Sequence, residues 1–180
     1  MNKKDAQRIL DEADLICSAE EVEAAVKRMA TDITAVLKDE FPIILSVMGG
    51  AAVFTGQLLP KLEFPLEFGA IEVTRYNNTT SGREISWRLP PRENVRGRAI
   101  LVVDDILDEG ITLAAIRLKL IDMGAKHVYA AVFADKAIGR EKPATADFIG
   151  ISVPDRYVFG YGMDAYGVWR NLPAIYALRG

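Results

Sequence analysis

The stretch VVDDILDEGIT, Val102 to Thr112, decides how this chain folds. It begins inside a continuous apolar run, Ala99 to Val103, of the length and composition expected for a strand buried on both faces. That run ends in two acids, Asp104 and Asp105. After Gly110 a helical pattern passes through Leu113, Ile116, Leu120 and Met123 and stops at Gly124, and His127 to Ala134 supplies another apolar strand. Strand, helix and strand in this order predict a parallel sheet with a right-handed crossover. The fold class is α/β, a parallel-sheet core flanked by helices.

The flanking sequence extends the same plan. Ser18 followed by Glu21 fits a capping box, and Val22, Val26, Met29, Ile33, Val36 and Leu37 recur behind it at helical spacing, predicting a helix from Ala19 to Asp39. Ile43 to Val47 reads as a strand, Gly49-Gly50 as a tight turn, and Ala51 to Leu62 as a helix. Leu66 to Val73 is a further strand. The polar segment Arg75 to Arg83 is read as the mobile tip of a hairpin that returns through Glu84 to Leu89. From Asp147 onward the chain is aromatic and irregular, with a short strand expected at Tyr157 to Gly160. There is no repeat and no long linker, so residues 1–180 read as a single domain, with a small irregular hood built from the N-terminal segment and about 147–180.

Composition narrows the possible functions. The 180 residues carry 22 Lys+Arg against 25 Asp+Glu, a net charge of −3, and 50% are hydrophobic. A chain of this length can remove roughly 70% of its unfolded surface from water. Its acidic balance argues against a nucleic-acid partner, which would call for a basic face. The lone Cys17 has no intramolecular partner, the N-terminal residues lack the apolar core of a signal peptide, and no apolar run approaches the roughly 18 to 20 residues of a membrane span. A cytoplasmic protein without membrane contact is expected.

The acids carry the chemistry. Ligands of open α/β sheets bind outside the carboxyl ends of the strands, where Asp104 and Asp105 are expected. Adjacent carboxylates repel one another, and sugar hydroxyls or a cation would favour their ionised forms. Asp108, Glu109, Gly110, Ile111 and Thr112 then form a loop entering a helix, where free N–H groups and the helix dipole favour a phosphate. Carboxylates beside a phosphate cradle describe a site for a phosphorylated sugar.

Val102 to Leu113 closely resembles the phosphoribosyl-diphosphate signature of type I phosphoribosyltransferases: two apolar residues, two acids, two apolar residues, Asp, a variable residue, Gly and Thr. Further on, Phe133 to Lys136, Pro154 to Asp164 and Trp169 to Leu172 resemble the purine end of the hypoxanthine-guanine members. A receiver domain also ends a strand in paired Asp, but near its start, whereas 75 residues follow Asp105 here.

The resemblance implies a set of roles. Asp104 and Asp105 would bind ribose, residues 108–112 the 5′-phosphate, and Asp108 would exchange a proton with the purine as the catalytic residue. Lys136 would face O6 of a 6-oxopurine, Tyr157 would stack on the base, and the backbone of Val158 would read its edge. Asp164 would help hold Mg²⁺ beside the base, with Asp104 and Asp105 nearby, and Arg170 would contact pyrophosphate. Met48 and Gly49 occupy the pyrophosphate loop, where many members have Lys in place of Met48. Arg75 and Tyr76 begin the segment matching a mobile lid, where the family usually has Ser in place of Arg75. The expected reaction joins hypoxanthine or guanine to phosphoribosyl diphosphate, in a homodimer or homotetramer. A xanthine-preferring transferase and a non-catalytic sensor of the sugar diphosphate are the alternatives.

Overall fold

A computed structural model describes residues 1–75 and 85–179. Six strands make the main sheet: β2 (Ile43–Met48), β3 (Glu67–Arg75), β4 (Ile85–Leu89), β5 (Ala99–Leu107), β6 (His127–Ala137) and β7 (Phe148–Pro154), in the order β4-β3-β2-β5-β6-β7. All neighbours are parallel except the β3–β4 hairpin. α1 (Lys3–Asp11), α2 (Ala19–Leu37), α3 (Ala52–Leu58) and α4 (Ile111–Asp122) complete the helices.

The apolar run in β5 is continuous because both its faces are covered. Leu101 and Val103 face a core shared with Val26, Met29 and Ile33 of α2 and Phe54 of α3. Ile100 and Val102 face the opposite core, with Leu113, Ile116 and Leu120 of α4. Period-two alternation thus sends successive apolar side chains into two separate layers.

The start of α2 follows the capping-box expectation: the Ser18 hydroxyl accepts from Glu21 N–H, and the Glu21 carboxylate accepts from Ser18 N–H. Four of the expected boundaries move. α2 ends at Leu37; α3 ends at Leu58 and passes into a 3₁₀ turn, Leu59–Lys61, where Pro60 supplies no N–H to continue the helix. Both β5 and β6 outrun their apolar cores, because pairing with each other carries Ile106 and Leu107 opposite Ala134 and Asp135. Asp104 and Asp105 therefore lie within β5, and Lys136 lies within β6.

The irregular reading from residue 147 onward is corrected by β7. Phe148–Pro154 pairs with β6 in parallel register as the edge strand of the main sheet. Beyond it a second sheet forms, in the order β1-β9-β8, from β1 (Asp14–Cys17), β8 (Val158–Phe159) and β9 (Ile175–Ala177), all antiparallel. Arg156 ties it together by donating to Asp14 at 2.7 Å and to the Leu178 carbonyl at 2.8 Å. Arg156 and Arg179 hold the Asp14 carboxyl below the usual carboxylate range. Trp169 donates its indole N–H to the Ala6 carbonyl of α1 at 2.8 Å.

This small sheet and its loops sit over the carboxyl ends of β5 and β6. Buried Tyr161 packs against Phe133 and Phe54 and donates its hydroxyl to Gln57 at 2.9 Å. No described helix is long and apolar enough to cross a membrane.

Candidate active site

Two hollows open at the carboxyl ends of β5 and β6, and they share Asp105, Ile106 and Asp108. One, of about 280 Å³, is lined by Asp104, Asp105, Asp108, Gly110 and Thr112. The other, of about 310 Å³, lies under the small sheet and is lined by Asp105, Asp108, Lys136, Tyr157, Val158, Met163, Asp164 and Arg170. The shared carboxylates form the wall between the two.

The first hollow is built from the strand-to-helix turn. Gly110 holds φ +78 at the N-cap of α4, a left-handed conformation that glycine adopts without steric cost. A side chain there would also meet the Ala144 carbonyl at 3.1 Å and Lys142 at 3.2 Å. Thr112 reaches the hollow; Glu109 and Ile111 do not line it, and Glu109 pairs with Arg140 at 2.9 Å.

Asp105 sits at the junction. Its carboxylate accepts from Ile106 N–H at 2.8 Å, while Asp104 accepts from Asp105 N–H at 2.9 Å. Desolvation among the surrounding backbone raises the Asp105 pKa above the ordinary value of 3.8; the bonds from Asp104 and Ile106 and the charge of Arg170 partly oppose that rise. The tight fit comes from two glycines. A β-carbon at Gly50 would lie 1.9 Å from Asp105 Oδ2, and one at Gly162 would lie 2.1 Å from the Gly50 carbonyl oxygen. The turn after β2, the acid pair of β5 and the loop after β8 are therefore in direct contact.

In the second hollow Lys136 places its ammonium 3.2 Å from Asp108 Oδ2, with its side chain only 14% exposed. Tyr157 lines the same hollow, half exposed, next to Val158. Asp164 and Arg170 line the same space and pair with each other at 2.5 Å. Arg170 also donates to the Gly162 carbonyl at 2.6 Å.

Other sequence expectations fall outside the hollows. Met48 and Gly49 line neither of them; their shared peptide bond is cis, and Ser46 Oγ lies 3.8 Å from the Met48 sulfur. It is Gly50, the second glycine of that turn, that touches the acid pair. Arg75 ends β3 opposite Ile85, and Tyr76 lies outside the described residues.

Lys142 was not singled out from the sequence, yet it braces this site. Its ammonium donates to the Leu107 carbonyl at 2.7 Å, the Lys136 carbonyl at 2.7 Å and the Asp135 carboxylate at 2.6 Å. It thereby clamps the ends of β5 and β6 on either side of the Asp108–Lys136 pair. A lysine between Glu141 and Pro143 in a polar loop gives no sequence signal of this.

Residues 14–166 match the family model of the phosphoribosyl transferase domain. The chain belongs to the phosphoribosyltransferase family. It has the type I phosphoribosyltransferase fold, and the receiver-domain reading of the paired aspartates is set aside. Over 99% of its length this phosphoribosyltransferase is 34% identical to the hypoxanthine-guanine phosphoribosyltransferase of Bacillus subtilis, covering 97% of that protein. It is 30% identical to the hypoxanthine-guanine-xanthine phosphoribosyltransferase of Tritrichomonas foetus, over 97% of this chain and 93% of the relative. A solved hypoxanthine-guanine-xanthine phosphoribosyltransferase superposes with a TM-score of 0.83 at 30% identity, covering 94% of this chain and 99% of that one. A hypoxanthine-guanine phosphoribosyltransferase of Bacillus anthracis, solved with HEPES in its active site, gives a TM-score of 0.85 at 27% identity, over 92% and 98%.

Proposed function

We propose that this phosphoribosyltransferase serves purine salvage by joining a 6-oxopurine to phosphoribosyl diphosphate, giving a nucleoside monophosphate and pyrophosphate. The observation that carries the choice of base is the Asp108–Lys136 pair, 3.2 Å apart in the cleft shared with Tyr157. A 6-oxopurine protonated at N7 presents a donor, N7–H, beside an acceptor, O6, on a single edge. The carboxylate and the ammonium present the complementary acceptor and donor. Adenine would turn a 6-amino group toward the ammonium, leaving a donor facing a donor at a cost of about 1–3 kcal/mol.

In this reading ribose binds at Asp104 and Asp105, and the 5′-phosphate sits on the turn from Asp108 to Thr112. N9 of the base forms its bond to the anomeric carbon as the bond to pyrophosphate breaks and its electron pair leaves with pyrophosphate. Asp108 takes the N7 proton that the base must lose. Lys136 holds O6, Tyr157 stacks on the ring, and the Val158 backbone reads its far edge. Arg170 and the turn at Met48 and Gly49 are the pyrophosphate contacts, and Arg75 with Tyr76 begins the segment that matches the family's lid.

The donor set also suits Mg²⁺. Among the described residues no three His, Cys, Asp or Glu side chains converge, so the protein would offer Asp164, which shares the second hollow with Asp105, with Asp104 in the adjoining one. One or two carboxylates with the remaining oxygens from substrate and water is the coordination Mg²⁺ accepts. When bound, it would neutralise charge on the diphosphate. We place the enzyme in the cytoplasm, as a homodimer or homotetramer.

The likeness to the hypoxanthine-guanine-xanthine phosphoribosyltransferase of Tritrichomonas foetus favours a second reading, in which xanthine is also a substrate. A steady-state assay with phosphoribosyl diphosphate and Mg²⁺, offering hypoxanthine, guanine, xanthine and adenine separately, tests both. Turnover of hypoxanthine or guanine with little of adenine supports the reading, and the xanthine rate settles the alternative. Equal rates with adenine would refute the role of Lys136.

A further inference from the structure

Tyr166 occupies a backbone conformation that its side chain disfavours. Ala165 and Val168 exchange backbone hydrogen bonds at 2.9 and 3.1 Å, closing a two-residue turn between them. Tyr166 has φ +53 and Gly167 has φ +90. Left-handed geometry at both central positions marks the turn for which Asn-Gly is the favoured pair. Gly167 suits it. A bulky aromatic at the first position is an outlier, and such outliers gather at ligand sites, where surrounding structure holds them in place.

The ring that is presented this way has a specific neighbour. Tyr166 stacks on Tyr157, with ring centroids 5.6 Å apart and planes 19° from parallel. Tyr157 lines the cleft under the small sheet and Tyr166 does not, so the stack runs outward from the cleft wall. The turn is also anchored to the cleft, because Gly167 N–H donates to Asp164 Oδ2 at 2.7 Å while Asp164 Oδ1 pairs with Arg170.

We propose that Tyr166 is a positioning residue for the purine, backing Tyr157 so that the base completes a three-layer stack of base, Tyr157 and Tyr166. This rests on the reading that Tyr157 stacks on the base. Tyr157 is 47% exposed, and a ring that open loses rotational freedom when a ligand settles on it. With Tyr166 already against its back, much of that ordering precedes binding.

The test compares parent enzyme with Tyr166→Asn, Tyr166→Phe, Tyr157→Ala and the double variant Tyr157→Ala/Tyr166→Asn, measuring KM for hypoxanthine and for phosphoribosyl diphosphate, together with thermal unfolding. Asn fits the left-handed position better than Tyr, so Tyr166→Asn unfolds no earlier than the parent. It nevertheless raises KM for hypoxanthine about three- to tenfold, the scale of one aromatic pair, with KM for phosphoribosyl diphosphate held within about twofold. Tyr166→Phe restores the parent value, and the double variant is no worse than Tyr157→Ala alone. An unchanged hypoxanthine KM in Tyr166→Asn, with a raised one in Tyr157→Ala, overturns the inference while sparing the reading beneath it. Both KM values rising together with earlier unfolding would show a merely structural turn and overturn it as well. No effect in Tyr157→Ala would overturn the stacking reading and the inference with it.

Discussion

Oδ2 of Asp105 lies 1.9 Å from the point where any residue other than glycine at position 50 would place its β-carbon. The turn after β2 and the acids of β5 approach so closely that only a hydrogen atom fits between them. Two clearances of this kind, at Gly50 and at Gly162, hold three separate parts of the chain together around a single carboxylate.

The two glycines should respond differently to alanine. At Gly50 the obstructing atoms belong to a side chain that can swing away, so Gly50→Ala folds with a loss of about 1–2 kcal/mol. The displaced carboxylate raises KM for phosphoribosyl diphosphate by at least about tenfold. At Gly162 the obstruction is a backbone carbonyl and φ is +103, so neither side yields. Gly162→Ala loses about 3 kcal/mol or more in urea unfolding. Equal stability of the two variants would contradict this division.

Lys142 offers a second test, because its three acceptors lie beside the proposed base contacts. Lys142→Met keeps the volume but takes the ammonium from the Leu107 carbonyl, from the Asp135 carboxylate and from the Lys136 carbonyl, which keeps only the Ile138 N–H, a loss of about 3 kcal/mol. For a protein of this size that lowers the unfolding midpoint by about 6–12 °C. Turnover falls even well below the midpoint, since Leu107 precedes Asp108 and the other carbonyl is that of Lys136 itself. A variant as stable and active as the parent would show that the clamp is dispensable.

Asp108→Asn separates proton transfer from binding. Turnover is expected to drop by about 10²–10⁴-fold, while KM for phosphoribosyl diphosphate changes little. An unchanged kcat refutes the acid/base role. Lys136→Ala instead lowers the ratio of kcat/KM for hypoxanthine over adenine by about ten- to a hundredfold.

Asp105 predicts the pH dependence. Its folded-state pKa stands above the ordinary 3.8, so between these two values the folded protein binds a proton that the unfolded chain has released. Its contribution to stability therefore falls as pH rises through that window. Phosphoribosyl diphosphate, if it uses the ionised form, binds more weakly as pH falls through the raised value. Asp105→Asn should lose the sugar diphosphate yet unfold at neutral pH no earlier than the parent. Matched titrations of KM and unfolding midpoint check both signs, and a variant that unfolds clearly earlier would show that the ionised carboxylate stabilises the fold.

The main sheet was legible where apolar runs are strong. Ala99 to Val103 and His127 to Ala134 gave two parallel strands, and the capping box at Ser18 marked the start of α2 correctly. β7 was missed because only Gly150 and Val153 of Phe148 to Pro154 are buried, three residues apart, so the segment carries no strand period. α1 buries no residue, and β1 and β9 are too short to carry a period. In the site, local motifs brought Asp104, Asp105, Asp108 and Lys136 into view. Gly162 and Lys142 escaped, and Gly50 was read only as part of a turn, because their importance is a matter of distance to remote parts of the chain, which no spacing along it encodes.

The pairing of β1 with β9 sets an order of assembly during synthesis. Asp14–Cys17 leaves the ribosome long before Ile175–Ala177, and until then it has no strand to pair with, because β8 reaches it only through β9. The segment carrying Asp104 to Thr112 can meanwhile pair with β2 and β6, both of which precede β8 in the chain. A nascent chain would thus acquire its sugar-phosphate half first and its aromatic wall in one late step, closed by contacts spanning nearly the whole sequence.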